Sequence, residues 1–264
     1  MLKFHKYHGN GNDFIIINKN KSDIKITKSF VAKAADRNNG IGFDQLIVVS
    51  KSNNKPDFKI DFYNADGSMA DMCLNGIRCA AEYIWSNKLS KKKILNLVVK
   101  SKSILCEKHE KHKGLIECVL DLPRTYNNVK LEKQLAKYLK SEVYSLIEVG
   151  NLHLCINKRG IKTLDLGQLY EQLRKIIKPY KINLSVYKKS SNNNVEIRTY
   201  ENGAGETLSC GSASASVAFL NTKKFNTPVN ILSKGGKLEF NVNENTITMR
   251  GPATFVFSGE ISGK

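Results

Sequence analysis

The chain has 264 residues, of which 41% are hydrophobic, enough to bury a core in one large domain or two of ordinary size. No run approaches the roughly 18 apolar residues of a membrane-spanning helix, and the first residues lack the apolar segment of a secretory signal. Six dispersed cysteines in such a chain favour reduced thiols over a disulfide framework. We therefore expect a cytoplasmic protein with no membrane partner.

The formal net charge of +18 raises the alternative of a nucleic-acid partner. The lysines are scattered, however, with one dense run at 91–93, and no recognition helix or aromatic RNA-binding signature accompanies them. This distribution favours a solvated lysine-rich surface that can steer anionic substrates. We expect no nucleic-acid partner, and a non-catalytic, nucleic-acid-associated protein is kept as the competing class.

In chain order, the pattern first predicts two strands within residues 2–18, joined by a tight polar turn at 8–13, where Gly and Asn tolerate positive φ. A helix is predicted at 29–36, a glycine-punctuated loop at 39–45, and strands at 46–49 and 58–63. Further on, periodicity predicts strands, helices and tail hairpins. The strands are expected at 95–99, 104–107, 116–122 and 195–200, with a loop entering a strand at 149–156; the helices at 131–139 and 167–177; and the hairpins around 235–236 and 244–245.

Two cysteines each precede a run with helical periodicity. After Cys73, apolar residues recur with the spacing of one helix face through Ile84, and the same holds from Cys210 to Leu220. A thiol at a helix N-terminus lies beside unpaired N–H groups, which lower its pKa and also bind carboxylates. The two stretches therefore predict an acid and a base.

The same two stretches align at an offset of 137 residues, which also matches Tyr63 with Tyr200. The organisation of strand, polar turn, cysteine and helix occurs in each half of the chain. This repetition predicts two pseudo-symmetric domains with a cleft between them.

Nearly the whole chain resembles the diaminopimelate epimerase family. The resemblance rests on motifs at residues 8–14, 40–45, 64–67, 72–79, 150–153, 203–207, 210–212 and 251–253. It implies an α/β (α+β) fold of two similar domains, each a strand-built barrel around a central helix, with the active site in the cleft. The expected halves are residues 1–118, joined by a C-terminal strand at about 253–264, and residues 119–252.

The resemblance also implies an activity: interconversion of LL- and meso-diaminopimelate, for lysine and peptidoglycan precursor synthesis. Cys73 and Cys210 would exchange protons with opposite faces of the substrate α-carbon, with His153 and Glu201 beside them. The expected substrate-binding residues hold the reacting carboxylate (Leu74, Asn75, Gly211, Ser212) or line the cleft (Asn12, Gln45, Asn64, Asn151, Asn183, Asn202). The family uses no cofactor and no metal, binds a small amino acid substrate and is commonly homodimeric.

Four positions depart from the family pattern. Leu74 and Ala213 replace glycines, and a leucine at 74 would make any positive φ costly. Leu152 replaces a proline, which loosens a rigid turn. Asn202 stands where an arginine pairs with the distal carboxylate, a bidentate contact that an amide cannot reproduce. A racemase of the same mechanism acting on another amino acid is therefore the alternative.

The remaining cysteines are interpreted as packing residues. Cys106, Cys118 and Cys155 lie in strand-like surroundings, and Cys79 lies on another part of the helix that follows Cys73. The spacing of Cys73 and Cys79 is not that of a zinc knuckle, and no paired second motif exists.

Overall fold

The computed structural model describes residues 1–21, 25–52, 56–109, 114–191 and 193–262. The chain divides into two compact units, residues 1–119 with 250–264 and residues 120–249. No helix within the described ranges combines the length and apolar character needed to cross a membrane.

In its described residues, the first unit is built from strands and two α-helices. Its elements are β1 (Leu2–Gly9), β2 (Asn12–Asn18), α1 (Lys28–Ala35), β3 (Gln45–Lys51), β4 (Phe58–Asn64), β5 (Met69–Ala70), α2 (Leu74–Ser86), β6 (Ile94–Val99), β7 (Lys102–Lys108) and β8 (Leu115–Asp121), with the last strand of the chain, β18 (Thr254–Ile261), paired antiparallel to β1.

The second unit has a similar composition with one more helix. Its elements are β9 (Arg124–Thr125), α3 (Val129–Leu139), β10 (Val143–Val149), β11 (Asn151–Asn157), α4 (Leu166–Ile177), β12 (Asn183–Lys189), β13 (Asn194–Glu201), β14 (Gly205–Thr207), α5 (Gly211–Asn221), β15 (Val229–Ser233), β16 (Gly236–Val242) and most of β17 (Thr246–Pro252), whose last residues, 250–252, belong to the first unit.

Both units follow one strand topology. In the first, β1 and β2 are antiparallel, β2 and β3 are parallel across α1, β3 and β4 are antiparallel, and β4 and β6 are parallel across α2. The second unit repeats this order with β10, β11, β12, β13 and β15, and its crossovers contain α4 and α5. The predicted α/β class and the pseudo-symmetry of the two halves are therefore confirmed.

Each unit encloses one central helix. Helix α2 contacts β1, β2, β3, β6 and β7, and α5 contacts the strands from β10 to β13 together with β15 and β16. The sequences fit this enclosure, since α2 is buried from Leu74 to Ala81 and α5 is buried from Gly211 to Ala218. A helix surrounded by strands needs small or apolar side chains all round rather than one apolar stripe.

Other helices cover the outer faces of the strands. Val31 and Ala34 of α1 join a buried cluster with residues of β1, β2 and β3. Leu173 and Ile177 of α4 do the same with α3 and β10–β12. Each unit is therefore layered, with strands between an enclosed helix and outer helices.

The hairpin of β10 and β11 differs from the sequence prediction, which placed only a loop before residue 151. Gly150 makes the turn with φ +73°, so that Val149 pairs with Asn151. Leu152 is consequently a strand residue opposite Glu148, and it packs against the core of the second unit. The predicted loosening of a turn at Leu152 is wrong, because the turn lies at Gly150.

Candidate active site

Cys73 is the N-cap of α2. Its extended backbone (φ −134°, ψ 112°) ends the preceding loop, and its carbonyl accepts the hydrogen bond from Ile77 N–H at 2.9 Å. The thiol does not cap the helix, and instead Sγ lies 3.3 Å from Asn12 Oδ1. Leu74 is the first helical residue and has no positive φ, so the backbone cost anticipated for leucine does not arise.

The side chain of Asn12 is oriented by a carboxylate. Its Nδ2 donates to Asp44 Oδ2 at 2.7 Å, and the same oxygen accepts from the backbone N–H of Asp13. An ionised carboxylate only accepts hydrogen bonds, so the amide nitrogen must face Asp44. The carbonyl oxygen of Asn12 is therefore the atom that faces the Cys73 thiol.

Asp44 belongs to a cluster of alternating charges. Arg37 donates to both oxygens of Asp13, at 2.8 and 3.0 Å, and to Asp44 Oδ1 at 2.9 Å, while Lys6 pairs with Asp13 at 2.6 Å and also contacts the carbonyl of Gly42. Burial would raise the pKa of Asp13, but the hydrogen bonds from Arg37 and Lys6 outweigh it and lower that pKa to about 2. The cluster ties the loop before β3 to β1 and β2.

A second chain of side-chain hydrogen bonds joins residues at the ends of β3 and β4. Gln45 Nε2 donates to Asn64 Oδ1 at 2.9 Å, Asn64 Nδ2 donates to Ser68 Oγ at 3.1 Å, and Ser68 donates to Asp66 at 2.6 Å. The Asp66 carboxylate only accepts hydrogen bonds, so Ser68 must donate to it, and this fixes the orientation of both amide groups. The Gln45 Oε1 atom at the other end of these hydrogen bonds is buried and has no hydrogen-bond partner among the described residues, so it can accept a hydrogen bond from a ligand.

Asn75 is held from inside α2 by a fully buried arginine. Arg78 Nη2 donates to Asn75 Oδ1 at 3.0 Å and to Asn10 Oδ1 at 2.9 Å, and Nε donates to the Pro252 carbonyl at 3.2 Å. Burial lowers the pKa of Arg78. The guanidinium thus joins the start of α2 to the turn between β1 and β2.

In the second unit, Cys210 is the N-cap of α5, with an extended backbone like that of Cys73. Its Sγ lies 3.4 Å from Ser212 Oγ, which in turn lies 3.0 Å from His153 Nε2. All three side chains are buried, and burial lowers the pKa of His153 to about 3. At neutral pH the imidazole is therefore uncharged.

The polar residues around β13 form a separate set in this unit. Asn183 Oδ1 accepts from the backbone N–H of Asn202 at 2.9 Å, and Asn202 Oδ1 accepts from the Tyr170 hydroxyl at 3.1 Å. Glu201 Oε1 accepts from the Thr207 hydroxyl at 2.7 Å. Asn202 is exposed, so its amide is available to a ligand.

Gly211 and Asn151 lie at the starts of their elements. Gly211 is the first residue of α5, directly after Cys210, and is buried. Asn151 is the first residue of β11, half-buried beside the Gly150 turn. Their expected roles in binding a substrate remain predictions.

The other four cysteines are fully buried. Burial raises the pKa of Cys79, and it raises the pKa of Cys155 to about 12. Cys106 and Cys118 are opposite each other on β7 and β8, with their sulfurs 3.6 Å apart. A raised thiol pKa makes Cys79 and Cys155 poor nucleophiles and poor bases at neutral pH.

Three contributions to the site were missed at the sequence level. Asp44 and Arg78 lie in the matched motifs but were given no role, and Ser212 was expected to act through its backbone rather than its hydroxyl. Motif membership was the available signal for the first two. The link from Ser212 to His153 had no signal, because 59 residues separate the partners.

A model of the diaminopimelate epimerase family matches residues 4–119 and 146–256. The chain is 34% identical over 278 residues to the diaminopimelate epimerase of Wigglesworthia glossinidia brevipalpis, covering 99% of this chain and all of that protein. It is 28% identical to the one from Methanococcus maripaludis (strain C6), covering 98% and 99%.

Solved structures with much lower identity show the same fold. A Bacillus anthracis phenazine biosynthesis protein of the PhzF family has a TM-score of 0.74 at 14% identity, covering 99% of each chain. A hydroxyproline epimerase from Agrobacterium vitis has a TM-score of 0.71 at 10% identity, covering 98% of this chain and 91% of that one. With the family match over most of its length, this chain is an isomerase that belongs to the diaminopimelate epimerase family.

Proposed function

We propose that the protein interconverts LL- and meso-diaminopimelate by moving one proton at the α-carbon between two thiols. The observation that carries the proposal is the equivalent placement of Cys73 and Cys210. Each caps the enclosed helix of its unit, in a topology that the two units share. A duplicated fold with a duplicated thiol fits a reaction that needs one base and one acid.

In this mechanism one cysteine, as thiolate, removes the α-proton, and the other, as thiol, protonates the opposite face. The roles exchange when the reaction runs backwards. Backbone N–H groups at the starts of α2 and α5, from Leu74, Asn75, Gly211 and Ser212, would hold the reacting carboxylate and stabilise charge as it develops. The buried Gln45 Oε1 is suited to accept a hydrogen bond from a substrate ammonium group.

The test is exchange of the substrate α-hydrogen with deuterated water, followed by mass spectrometry with LL-diaminopimelate. Wild-type protein should incorporate deuterium, and Cys73→Ala and Cys210→Ala should each lose epimerisation by a factor of at least about 10³, because one of two obligatory groups is gone. Cys155→Ala is the matched control, since it removes a buried thiol from a strand. Absence of exchange by folded wild-type protein would overturn the proposal.

A racemase of another amino acid is the second candidate, and Asn202 favours it. This residue donates and accepts hydrogen bonds but carries no charge, and its Oδ1 is engaged by Tyr170. A distal carboxylate would meet an amide instead of a guanidinium. A substrate panel followed by circular dichroism separates the candidates: faster turnover of an amino acid with a neutral or basic side chain would favour the second.

We also propose that the enzyme works in the cytoplasm on a small amino acid as a homodimer, with no nucleic-acid partner. Retention of nucleic acid at physiological ionic strength, with no isotope exchange, would instead favour the competing class, whose affinity should fall steeply with salt.

A further inference from the structure

We propose that Tyr170 is a positioning residue: its hydroxyl holds the Asn202 side chain so that the amide nitrogen, and not the oxygen, faces a ligand. The consequence concerns the far end of the substrate, away from the reacting α-carbon. That end must present a hydrogen-bond acceptor, and an ammonium group alone does not suffice. The inference rests on the proposed function for its catalytic meaning, and all of its residues lie in the second unit.

Stacking against β13 fixes the ring of Tyr170. This residue lies on the buried face of α4 with Leu166 and Leu173, and is 5% exposed. Its ring stacks on that of Tyr200 in β13, with centroids 4.1 Å apart and planes at 21°. Because successive residues of a strand point to opposite faces, Asn202, two residues after Tyr200, returns to the side of α4. The Tyr170 hydroxyl donates to Asn202 Oδ1 there, at 3.1 Å.

The backbone of Asn202 is held as well. Its N–H donates to Asn183 Oδ1 at 2.9 Å, and Asn183 is a buried residue of β12, the strand that pairs with β13. The turn after β13 is closed by a hydrogen bond from Ala204 N–H to the Glu201 carbonyl at 3.1 Å. The backbone and the side-chain oxygen of Asn202 both have partners, which leaves the amide nitrogen as the group that meets a ligand.

The phenol proton decides which way the amide points. Burial raises the pKa of Tyr170, so the hydroxyl keeps its proton throughout the neutral range and donates it. If the amide were turned over, Nδ2 would donate to the phenol oxygen, and the hydroxyl proton would lose Oδ1, the acceptor it has among the described residues. The observed orientation satisfies the hydroxyl and presents Nδ2, which only donates.

Glu201 is the charged neighbour of Asn202 in the chain. Its Oε1 accepts from the Thr207 hydroxyl at 2.7 Å, and alternation along the strand places it on the face of β13 opposite to Tyr200. A carboxylate has no proton to donate to an acceptor on a ligand. Glu201 therefore cannot replace the amide nitrogen of Asn202 in this role.

The first experiment compares two probes that each lack one group of diaminopimelate at the far end. L-α-aminopimelate keeps the carboxylate there, and L-lysine keeps the ammonium group. Isothermal titration calorimetry gives the dissociation constants for the wild-type protein. We expect α-aminopimelate to bind at least about tenfold more tightly than lysine, because only its far end accepts from Nδ2. Tighter binding of lysine, or binding of neither probe, would overturn the inference.

Tyr170→Phe keeps the stacked ring and removes the hydroxyl. It should raise the dissociation constant of α-aminopimelate about three- to tenfold and leave that of lysine unchanged, because the nitrogen is no longer held outward. Tyr200→Phe is the matched control: it removes the hydroxyl of the other ring in the stack and should change neither constant. A merely structural role of the Tyr170 hydroxyl would weaken both probes equally, since they share the α-amino acid end.

NMR of ¹⁵N-labelled protein follows the Asn202 side-chain amide without any substrate. Its signals are identified by their loss in Asn202→Asp, and they should shift in Tyr170→Phe but not in Tyr200→Phe. The same spectra show whether each variant is folded.

Asn202→Asp reverses the group that faces the ligand. One carboxylate oxygen still accepts from Tyr170, and the other replaces the donor nitrogen with an acceptor. Lysine should then bind more tightly than α-aminopimelate, the opposite of the wild type. An unchanged order of affinities in Asn202→Asp would contradict the orientation assigned to the amide.

Unchanged amide signals and unchanged affinities in Tyr170→Phe would overturn the inference even if the wild-type protein epimerises diaminopimelate. Conversely, the expected shifts and affinities with no deuterium exchange would leave the role of Tyr170 standing and overturn the proposed function. The two failures are thus distinguishable.

Discussion

Arg78 is a charged side chain with no exposed surface, in the middle of an enclosed helix. Its hydrogen bonds to Asn10 and Asn75 satisfy side chains at the β1–β2 turn and at the start of α2. A buried acceptor that loses a charged donor bears the full cost of its desolvation. The residue therefore stabilises the site rather than acting on a substrate.

We expect Arg78→Met to lower the free energy of unfolding by about 3 kcal/mol, because two buried amide oxygens each lose a charged donor. Urea denaturation measures the change. Arg174→Met is the control, since this arginine pairs with Glu171 on the exposed surface of α4, and its loss should cost less than about 0.5 kcal/mol. Equal effects of the two substitutions would contradict the role assigned to Arg78.

His153 makes stability depend on pH. Its pKa is lowered to about 3 in the folded protein, so below about pH 6.5 the unfolded chain binds a proton that the folded chain does not. Stability should therefore fall as pH decreases from 6.5, by up to about 1.4 kcal/mol per pH unit from this group. His153→Gln should flatten the profile between pH 6.5 and 5, as followed by urea titrations.

Asp13 adds to the loss of stability at lower pH. Its pKa of about 2 in the folded state lies below that of the unfolded chain, so its contribution is complete above about pH 4 and is lost as pH falls toward 2. Asp13→Asn should remove this part of the acid transition while leaving the part due to His153. Persistence of the full transition below pH 4 in Asp13→Asn would contradict the assignment.

Asn202 is the residue on which substrate choice depends. If a missing charge is what limits binding of diaminopimelate, Asn202→Arg should lower the KM for diaminopimelate about tenfold, with kcat changed less, since the contact is far from the reacting carbon. Asn202→Gln is the matched control, because it lengthens the amide without adding charge. An unchanged KM in Asn202→Arg would show that the distal carboxylate is bound elsewhere.

At the scale of elements, the position of α2 depends on Gly76. A Cβ atom there would lie 2.5 Å from Cε1 of Phe62 and 3.2 Å from side-chain atoms of Ile47 and Phe14. The glycine lets the helix approach β2, β3 and β4 closely, and this helix carries Cys73 at its start.

Gly76→Ala should destabilise the protein by about 1–3 kcal/mol through overpacking and should also reduce epimerisation, because α2 must shift. Thermal unfolding and the isotope-exchange assay measure the two effects. Gly167→Ala in α4 is the control: the added methyl would have its nearest contact at 3.4 Å, so no overpacking is expected. A neutral Gly76→Ala would contradict close packing at this site.

At the scale of the whole molecule, β18 leaves an apolar surface in a single chain. Phe255, Val256 and Phe257 are each about half exposed, although consecutive residues of a strand point to opposite faces. Contiguous apolar exposure of this kind marks an interaction surface. We propose that a second copy of the chain covers it in the homodimer.

If the proposed homodimer forms through this surface, Phe255→Asp with Phe257→Asp should leave only monomer, because two charges would be buried without partners. Sedimentation velocity gives the mass of each form. Leu105→Asp on β7 is the control, since it places a charge on an exposed apolar residue outside β18. A dimer that survives the double substitution would place the interface on another surface.

The helices after Cys73 and Cys210 could be predicted from the sequence because their apolar spacing is local. The predicted start of each helix agrees with the observed N-caps. Strand β10 could not be predicted in the same way, since its pairing with β11 depends on a turn at Gly150 rather than on alternation. For the same reason, the sequence does not show that Leu152 lies in a strand.

By itself, the sequence determined the fold class, the repetition of one unit and the family, since these follow from periodicity and from motifs that lie within short stretches. Only the tertiary structure decided which way the Asn12 amide points, which hydroxyl joins Cys210 to His153, and that Arg78 is buried. Each of these depends on partners from distant parts of the chain, such as Asn12 with Asp44 and His153 with Ser212. Hydrogen-bond direction is set by three-dimensional contacts, which no local pattern encodes.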